Sequence, residues 1–429
     1  MSRLSIVRRL LDDPLFRHSL LLMAASQVGN AANILFQFAM MRGLSDADYG
    51  LLIALLGALS VVGTPLDAVR TAVAHGTALL HQAGRGGDVA RLLRGWALGL
   101  AAVAAVLLAG GFLFLGPLLR FYHLADPALL LLVLAVAAGS LFMPLLTGGL
   151  QGLQHFRWMA VVGQAWGVVR LLLAALLVVV LAGGLRSAVA AQMGGVAATL
   201  LLGAYACRHA LRSAAPSAAP IPHRFPYFLS SLVVLFVYGV LLNADLQAVR
   251  HYFNAAAAGT YARAATIGRA VIFLVGPIAL ALFPKVASTG LSTPESRRML
   301  RRAGLYVVGI MAAAAAAGSL GAPWLWRIFT GAWPEAATVR LTCAMLWAVC
   351  PLGLLGLLVY FEMAQHRFRW CLGLLPCAAA YVFALRFWHP GPFAVVALLA
   401  ASGLAATAWM IGGIVIQERR SRAKAEGVE

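Results

Sequence analysis

Twelve apolar runs, each bounded by charge, proline or glycine, take up most of this 429-residue chain. They lie near 19–41, 50–75, 95–116, 128–151, 158–183 and 187–207, then near 226–249, 257–284, 303–322, 339–361, 370–387 and 392–416. Each approaches or exceeds the roughly 20 residues that a helix needs to cross a bilayer. In lipid the backbone must close its hydrogen bonds within each segment, so runs of this kind fold as helices. Composition agrees: 62% of the residues are apolar and 11% charged, and the mean hydropathy is +0.88. Soluble chains hold about 45–50% and about 25%. The expected fold class is an all-α polytopic membrane protein with about 12 transmembrane helices and no large soluble domain.

The basic surplus fits that class. Lys and Arg number 33 against 14 Asp and Glu, a net +19, and only Lys285 and Lys424 are lysines. With the N-terminus inside, the cytoplasmic segments collect 22 basic residues and the outer loops 7. This asymmetry predicts a multi-pass protein of a bacterial inner membrane with both termini cytoplasmic, meeting anionic membrane lipids rather than nucleic acid. The five cysteines fall in apolar runs without metal spacing. The arginine-studded N-terminus lacks a small-residue cleavage site, so no cleaved signal peptide is expected.

A Pro/Ala/Ser stretch near Ser213–Pro222 divides the spans six and six. The expected domains are an N-terminal lobe (1–212), a cytoplasmic linker (213–225), a C-terminal lobe (226–417) and a basic tail (418–429). The halves repeat: Arg42–Leu51 aligns with Arg250–Thr260, pairing Gly50 with Gly259, and Gln154-His155-Phe156-Arg157-Trp158 recurs around Gln365–Trp370. The glycines are 209 residues apart and the tryptophans 212. Six is an even number, so both halves enter from one side, pseudo-symmetric about an axis along the membrane normal and around a central cavity.

Arg42-Gly-Leu-Ser-Asp46-Ala-Asp48-Tyr49-Gly50 between two spans, Gly149-Leu-Gln-Gly-Leu-Gln-His-Phe-Arg157, Ala258-Gly259-Thr-Tyr261-Ala and Phe283-Pro284-Lys285 carry a resemblance. Together the chain resembles the polysaccharide transporter family of the multidrug/oligosaccharidyl-lipid/polysaccharide exporter superfamily. The resemblance implies a flippase that carries undecaprenyl-diphosphate-linked oligosaccharide, an O-antigen or exopolysaccharide unit, from the cytoplasmic to the periplasmic leaflet. It also implies a cavity lined by the first, second, seventh and eighth spans. Twelve spans departs from the fourteen of the lipid II branch.

Polar groups at membrane depth are expensive and need a partner, water or a function. Arg269 lies about twelve residues into its span, roughly 18 Å deep. It is expected to face the diphosphate, because a guanidinium fork matches phosphate oxygens. Arg70 and Arg263 are further candidates. Arg170, as deep, sits on a peripheral span and reads as structural. Asp245 and Arg263 fall at similar depth and are expected to form an ion pair, either locking two helices or gating. Asp67 and Arg70, three apart, share a helix face. On the first span Gln27, Asn30, Asn33 and Gln37 form one amide stripe, which either bonds neighbouring helices or lines a cavity for sugar hydroxyls. Asn243 and Gln247 are expected to answer them from the other lobe. Asp67 and Asp245 are the gating or coupling candidates. Pro65, Pro144, Pro277, Pro284 and Pro351 can kink spans.

Other chemistry is excluded. No P-loop or metal-binding motif is present, so no cofactor is expected beyond a coupling H+ or Na+. Asp46-Ala-Asp48 reads as helix N-capping acids before the second span. The chain is not expected to be an enzyme. Two alternatives stay open: a multidrug exporter, which needs an acidic cation site, and a scaffold recruiting a polysaccharide polymerase or other synthesis proteins through Arg297, Arg298, Arg301 and Arg302.

Overall fold

The computed structural model describes residues 14–212, 225–288 and 294–425. Every regular element among them is helical. The first half contains α1 (Pro14–Gly43), α2 (Asp46–Gly63), α3 (Leu66–Gln82), α4 (Gly86–Leu113) and the short α5 (Leu115–Phe121). It continues with α6 (Pro127–Ser140), α7 (Met143–Gly152), α8 (Phe156–Ala174), a π-helical turn at Ala175–Val180, and α9 (Gly184–Arg212). The second half contains α10 (Phe225–Tyr252), α11 (Ala255–Ser288), α12 (Pro294–Leu320), the short α13 (Ala322–Thr330) and α14 (Ala336–Ala348). It ends with α15 (Cys350–Ala364), α16 (Arg369–Leu372), α17 (Leu374–Phe387) and α18 (Pro392–Ala425).

All twelve expected spans fall on these helices. Ten stretches among the described residues are long and apolar enough to cross a membrane, so the chain is a multi-pass membrane protein. Most of the expected linker, 213–224, and the end of the tail, 426–429, lie outside the described residues.

Proline explains the breaks. The second span is two helices parted at Thr64-Pro65, the fourth is parted before Pro144 and the tenth before Pro351. A proline lacks the N–H that would continue the ladder but suits a first helical turn, where that donor is spare anyway. Pro277 and Pro284 lie within α11, which runs on through them.

The backbone repeats at the interval seen in the sequence. A short helix follows the third span of each half, and each is followed by a left-handed residue, His123 (φ 52°) and Gly331 (φ 82°), 208 residues apart. Gln154 (φ 57°) and His366 (φ 56°), 212 apart, end α7 and α15 in the same turn. In one, the His155 and Gln154 amides donate to the Leu150 and Gln151 carbonyls; in the other, Arg367 and His366 donate to Glu362 and Met363. That is the Schellman arrangement, in which a left-handed residue lets the chain cap its own last carbonyls.

Contacts divide the chain into two compact units, residues 1–44 with 66–228, and residues 45–65 with 229–429. The division does not follow the 1–212 and 226–417 lobes: α2 is first-half sequence but packs in the second unit. The chain passes between units at Leu44–Ser45 and again at Pro65–Leu66. In the first unit α1 packs on α8, α8 on α9, and α3 on α7. In the second, α11 packs on α2, α12, α14 and α15.

Lipid offers no hydrophobic reward for joining two apolar helices, so close backbone approach carries much of the packing. At Gly148 and Gly152 of α7 an added Cβ would stand 2.6 Å from the Arg70 and Ala74 carbonyl oxygens of α3. The glycine-rich motif at 148–152 is therefore a helix-packing surface. Its neighbours Leu150, Val162, Ala206 and Cys207 form a buried cluster between α7, α8 and α9.

Candidate functional site

In the first unit the polar centre is Arg170 of α8, only 4% exposed. Its guanidinium lies between the rings of Phe36 and Trp166, 4.0 and 3.9 Å from their centroids. Trp166 is one helical turn away on α8, and Phe36 comes from α1. Arg170 Nη2 donates to Asn33 Oδ1, and Nη1 to Gln192 Oε1 at 3.4 Å. Among the described residues no carboxylate pairs with it, and its Nε has no acceptor. Aromatic faces and amide oxygens stabilise the cation without neutralising it.

This arrangement divides the amide stripe of α1. Asn33 serves Arg170, and a Cβ on Gly29 would strike the Gln164 side chain. Gln37 is half-buried and engaged, Asn30 is half-buried, and Gln27 is exposed. In the same unit Arg70 Nη2 meets Asp67 Oδ1 at 3.1 Å, both side chains remaining partly exposed. Asp88, 1% exposed, sits between Arg85 and Arg91 at 2.7 and 2.9 Å at the start of α4.

In the second unit the centre is Asp245 of α10, fully buried. Arg269 Nη2 donates to both its carboxylate oxygens at 2.6 Å, and the Tyr261 hydroxyl donates to Oδ2 at 2.7 Å. Tyr381 of α17 lies within electrostatic reach of the pair, its buried hydroxyl without a partner among the described residues. The expected Asp245–Arg263 pair does not form. Helical side chains lean toward the N-terminus of their helix, so the long Arg269 reaches back past its own Cα level to Asp245. Arg269 thus has the acid that its Cα depth did not predict. Both bonds come from Nη2, and Nε is left without an acceptor.

Arg263 pairs instead with Asp46 at the start of α2, at 2.5 Å, with the Tyr49 ring 5.7 Å from its guanidinium. Ser45, not an acid, is the N-cap of α2 and accepts from the Asp48 amide at 3.2 Å. Farther along α2, the Tyr49 hydroxyl donates to Thr266 Oγ1 at 2.9 Å, and Gln247 Nε2 to the Ala54 carbonyl at 2.8 Å. Asn243 donates to the Gly239 carbonyl of its own helix at 3.0 Å. Asn243 and Gln247 both border Gly57 of α2. Both therefore meet α2 within the second unit.

The contact between α2 and α11 is close because of two glycines. A Cβ on Gly50 would stand 2.8 Å from the Gly259 nitrogen, and one on Gly259 would stand 2.2 Å from the Asp46 carbonyl oxygen. These are the two glycines that the internal repeat pairs.

Sequence reasoning missed Tyr261, Tyr381, Gln192, Phe36 and Trp166 as partners. Trp166, four residues before Arg170, was the one visible local signal. Among the described residues no group of three or more His, Cys, Asp or Glu could hold a metal ion.

No family model matches the sequence, and no curated protein matches it. Solved structures do match. A multidrug resistance MATE family transporter of the MOP superfamily, in an inward-facing conformation, aligns over 92% of this chain and 96% of its own, with a TM-score of 0.71 and 13% identity. The lipid II flippase MurJ, inward closed, aligns over 93% and 89%, at 0.68 and 13%. A MOP superfamily transporter from Pyrococcus furiosus, described as having a binding pocket of reverse polarity, aligns over 96% and 97%, at 0.58 and 15%. From end to end, then, the chain has the fold of the MOP-superfamily transporters, shared by the MATE transporters and the MurJ flippase.

Proposed function

We propose that this protein is a secondary transporter that flips polyprenyl-diphosphate-linked oligosaccharide, an O-antigen or exopolysaccharide unit on undecaprenyl diphosphate, by alternating access. One observation carries the choice of an anionic substrate. The two candidate coupling acids, Asp67 and Asp245, are each held by an arginine, while Arg170 is held by no acid among the described residues. A cationic drug needs a carboxylate to bind, and these two are taken. A diphosphate needs guanidinium donors, and Arg170 and Arg269 each keep a buried Nε without an acceptor. The neighbour named for lipid II and the one named for reversed pocket polarity fit the same reading.

In this reading Arg269 binds the diphosphate, Arg70 and Arg263 are further candidates for it, and amides such as Gln27 and Asn30 are the candidates for sugar hydroxyls. The polyprenyl tail stays in lipid. The α2–α11 contact is the joint that opens, with the break at Gly63-Thr64-Pro65 as its hinge. Asp245, bonded to Arg269 and Tyr261, is the coupling group, since a proton there would change what Arg269 bonds.

Purified protein titrated with a polyprenyl-diphosphate oligosaccharide should rise in melting temperature, as binding to the native state alone requires. The Asp245→Asn/Arg269→Gln variant keeps a neutral hydrogen-bonding pair and should bind about tenfold more weakly, the loss of one charge-assisted contact. A cationic dye should give no shift. Stabilisation by the dye and none by the diphosphate lipid would replace this reading with the multidrug exporter.

A further inference from the structure

The cytoplasmic end of the second unit, as the arginine count orients it, carries a basic pocket that the transport reading does not use. It measures about 210 Å³ and is lined by Arg367, Arg369, Trp370, Ile416 and Gln417. Sites for drug-sized molecules begin at about 300 Å³, so this one suits a small headgroup. We propose that it binds the phosphodiester of an anionic phospholipid from the surrounding bilayer.

Arg367 is half-buried and Arg369 exposed. Neither Arg367 nor Arg369 has a carboxylate partner among the described residues. The left-handed His366 closes α15 with the Arg367 amide on the Glu362 carbonyl at 2.9 Å, which fixes where the arginine leaves the backbone. Trp370 is fixed as well: its ring meets Trp409 edge-on, centroids 5.4 Å apart, and Trp409 Nε1 donates to the Trp370 carbonyl at 3.0 Å. Two arginines and a glutamine line the pocket, residue types that bind phosphate oxygens, and an indole at that level is where bilayer interfaces place one.

The source of the phosphate follows from what adjoins it. Ile416 lines the pocket and is 43% exposed, and Leu372, Trp409 and Val415 on α16 and α18 are exposed too. An acyl chain can lie along these while its headgroup enters the pocket; a free phosphate would leave them without a role. Basic pockets between membrane helices on the cytoplasmic side bind anionic headgroups in this way.

The internal repeat supplies a control. In the first unit the equivalent positions are His155, Arg157 and Trp158, so only one of the two arginines has a counterpart. The test is intact-protein mass spectrometry in non-ionic detergent, titrating phosphatidylglycerol, phosphatidylcholine or inorganic phosphate. Wild-type protein should retain one phosphatidylglycerol in preference to phosphatidylcholine. Arg367→Gln/Arg369→Gln should weaken that binding about tenfold or more, Arg157→Gln should not change it, and millimolar phosphate should not displace the lipid. The single Arg369→Gln change, at an exposed side chain, serves if the double variant folds poorly and should give an intermediate loss. Unchanged lipid binding in the arginine variants, equal retention of phosphatidylcholine, or displacement by phosphate would each overturn the proposal. The proposal does not depend on what the protein transports.

Discussion

Gly259→Val should unseat α2 from α11 and abolish transport while the protein still inserts. The added side chain begins 2.2 Å from the Asp46 carbonyl oxygen and 2.6 Å from its carbon, both backbone atoms that cannot rotate aside. Overpacking usually costs about 1–3 kcal/mol. Here the cost should be at the upper end or beyond, because moving α2 also breaks Asp46–Arg263, Tyr49–Thr266 and Gln247–Ala54 together. Gly63→Ala, on the same helix, meets nothing within 4 Å and should leave the melting temperature within about a degree or two of wild type. Melting curves of the two variants in detergent check the first half of the expectation, and flux into vesicles the second. A Gly259→Val protein with wild-type stability and flux would show that α2 does not depend on this approach.

Asp245→Ala should be the most destabilising single change in the second unit. It leaves the Arg269 guanidinium buried with no counter-charge and removes the acceptor of the Tyr261 hydroxyl. Breaking a buried pair from one side costs about 3–5 kcal/mol, whereas replacing both partners by apolar groups is often neutral. The Asp245→Leu/Arg269→Met variant should therefore recover most of the stability lost in Asp245→Ala, as read by thermal unfolding. It should not recover transport, because the pair is proposed to bind and couple. Transport restored along with stability would reduce the pair to a helix lock.

Much of this was legible in the sequence, for stated reasons. Span positions follow from apolar length alone, and all twelve fell on helices. The repeat was visible because Gly50 and Gly259, and Trp158 and Trp370, sit at places where the backbone allows few alternatives: a helix contact too close for a side chain, and the residues just beyond a left-handed cap. The breaks at Thr64, Leu141 and Val349 follow the prolines, although nothing local said whether a proline would part its helix, as Pro65 does, or be absorbed, as Pro277 is in α11.

Partners were harder to read. Counting residues into a span gives the depth of a Cα, but Arg269 bonds at the end of a side chain several ångströms long that leans toward its helix start. The Asp245–Arg263 assignment failed on that difference. The amide stripe on α1 was one pattern with two outcomes, because Asn33 faces Arg170 on α8 and Gln27 does not. That α2 packs with the second unit is long-range information: its sequence continues into α3, and contacts such as Gly50 on Gly259, Asp46 with Arg263 and Tyr49 with Thr266 show which unit holds it.

The most direct measurement is transbilayer movement of a polyprenyl-diphosphate oligosaccharide in vesicles containing the purified protein, with efflux of a cationic dye followed in parallel. Movement that the Asp245→Asn/Arg269→Gln variant loses, without dye efflux, is the predicted result. Dye efflux with no movement of the diphosphate lipid would contradict the account.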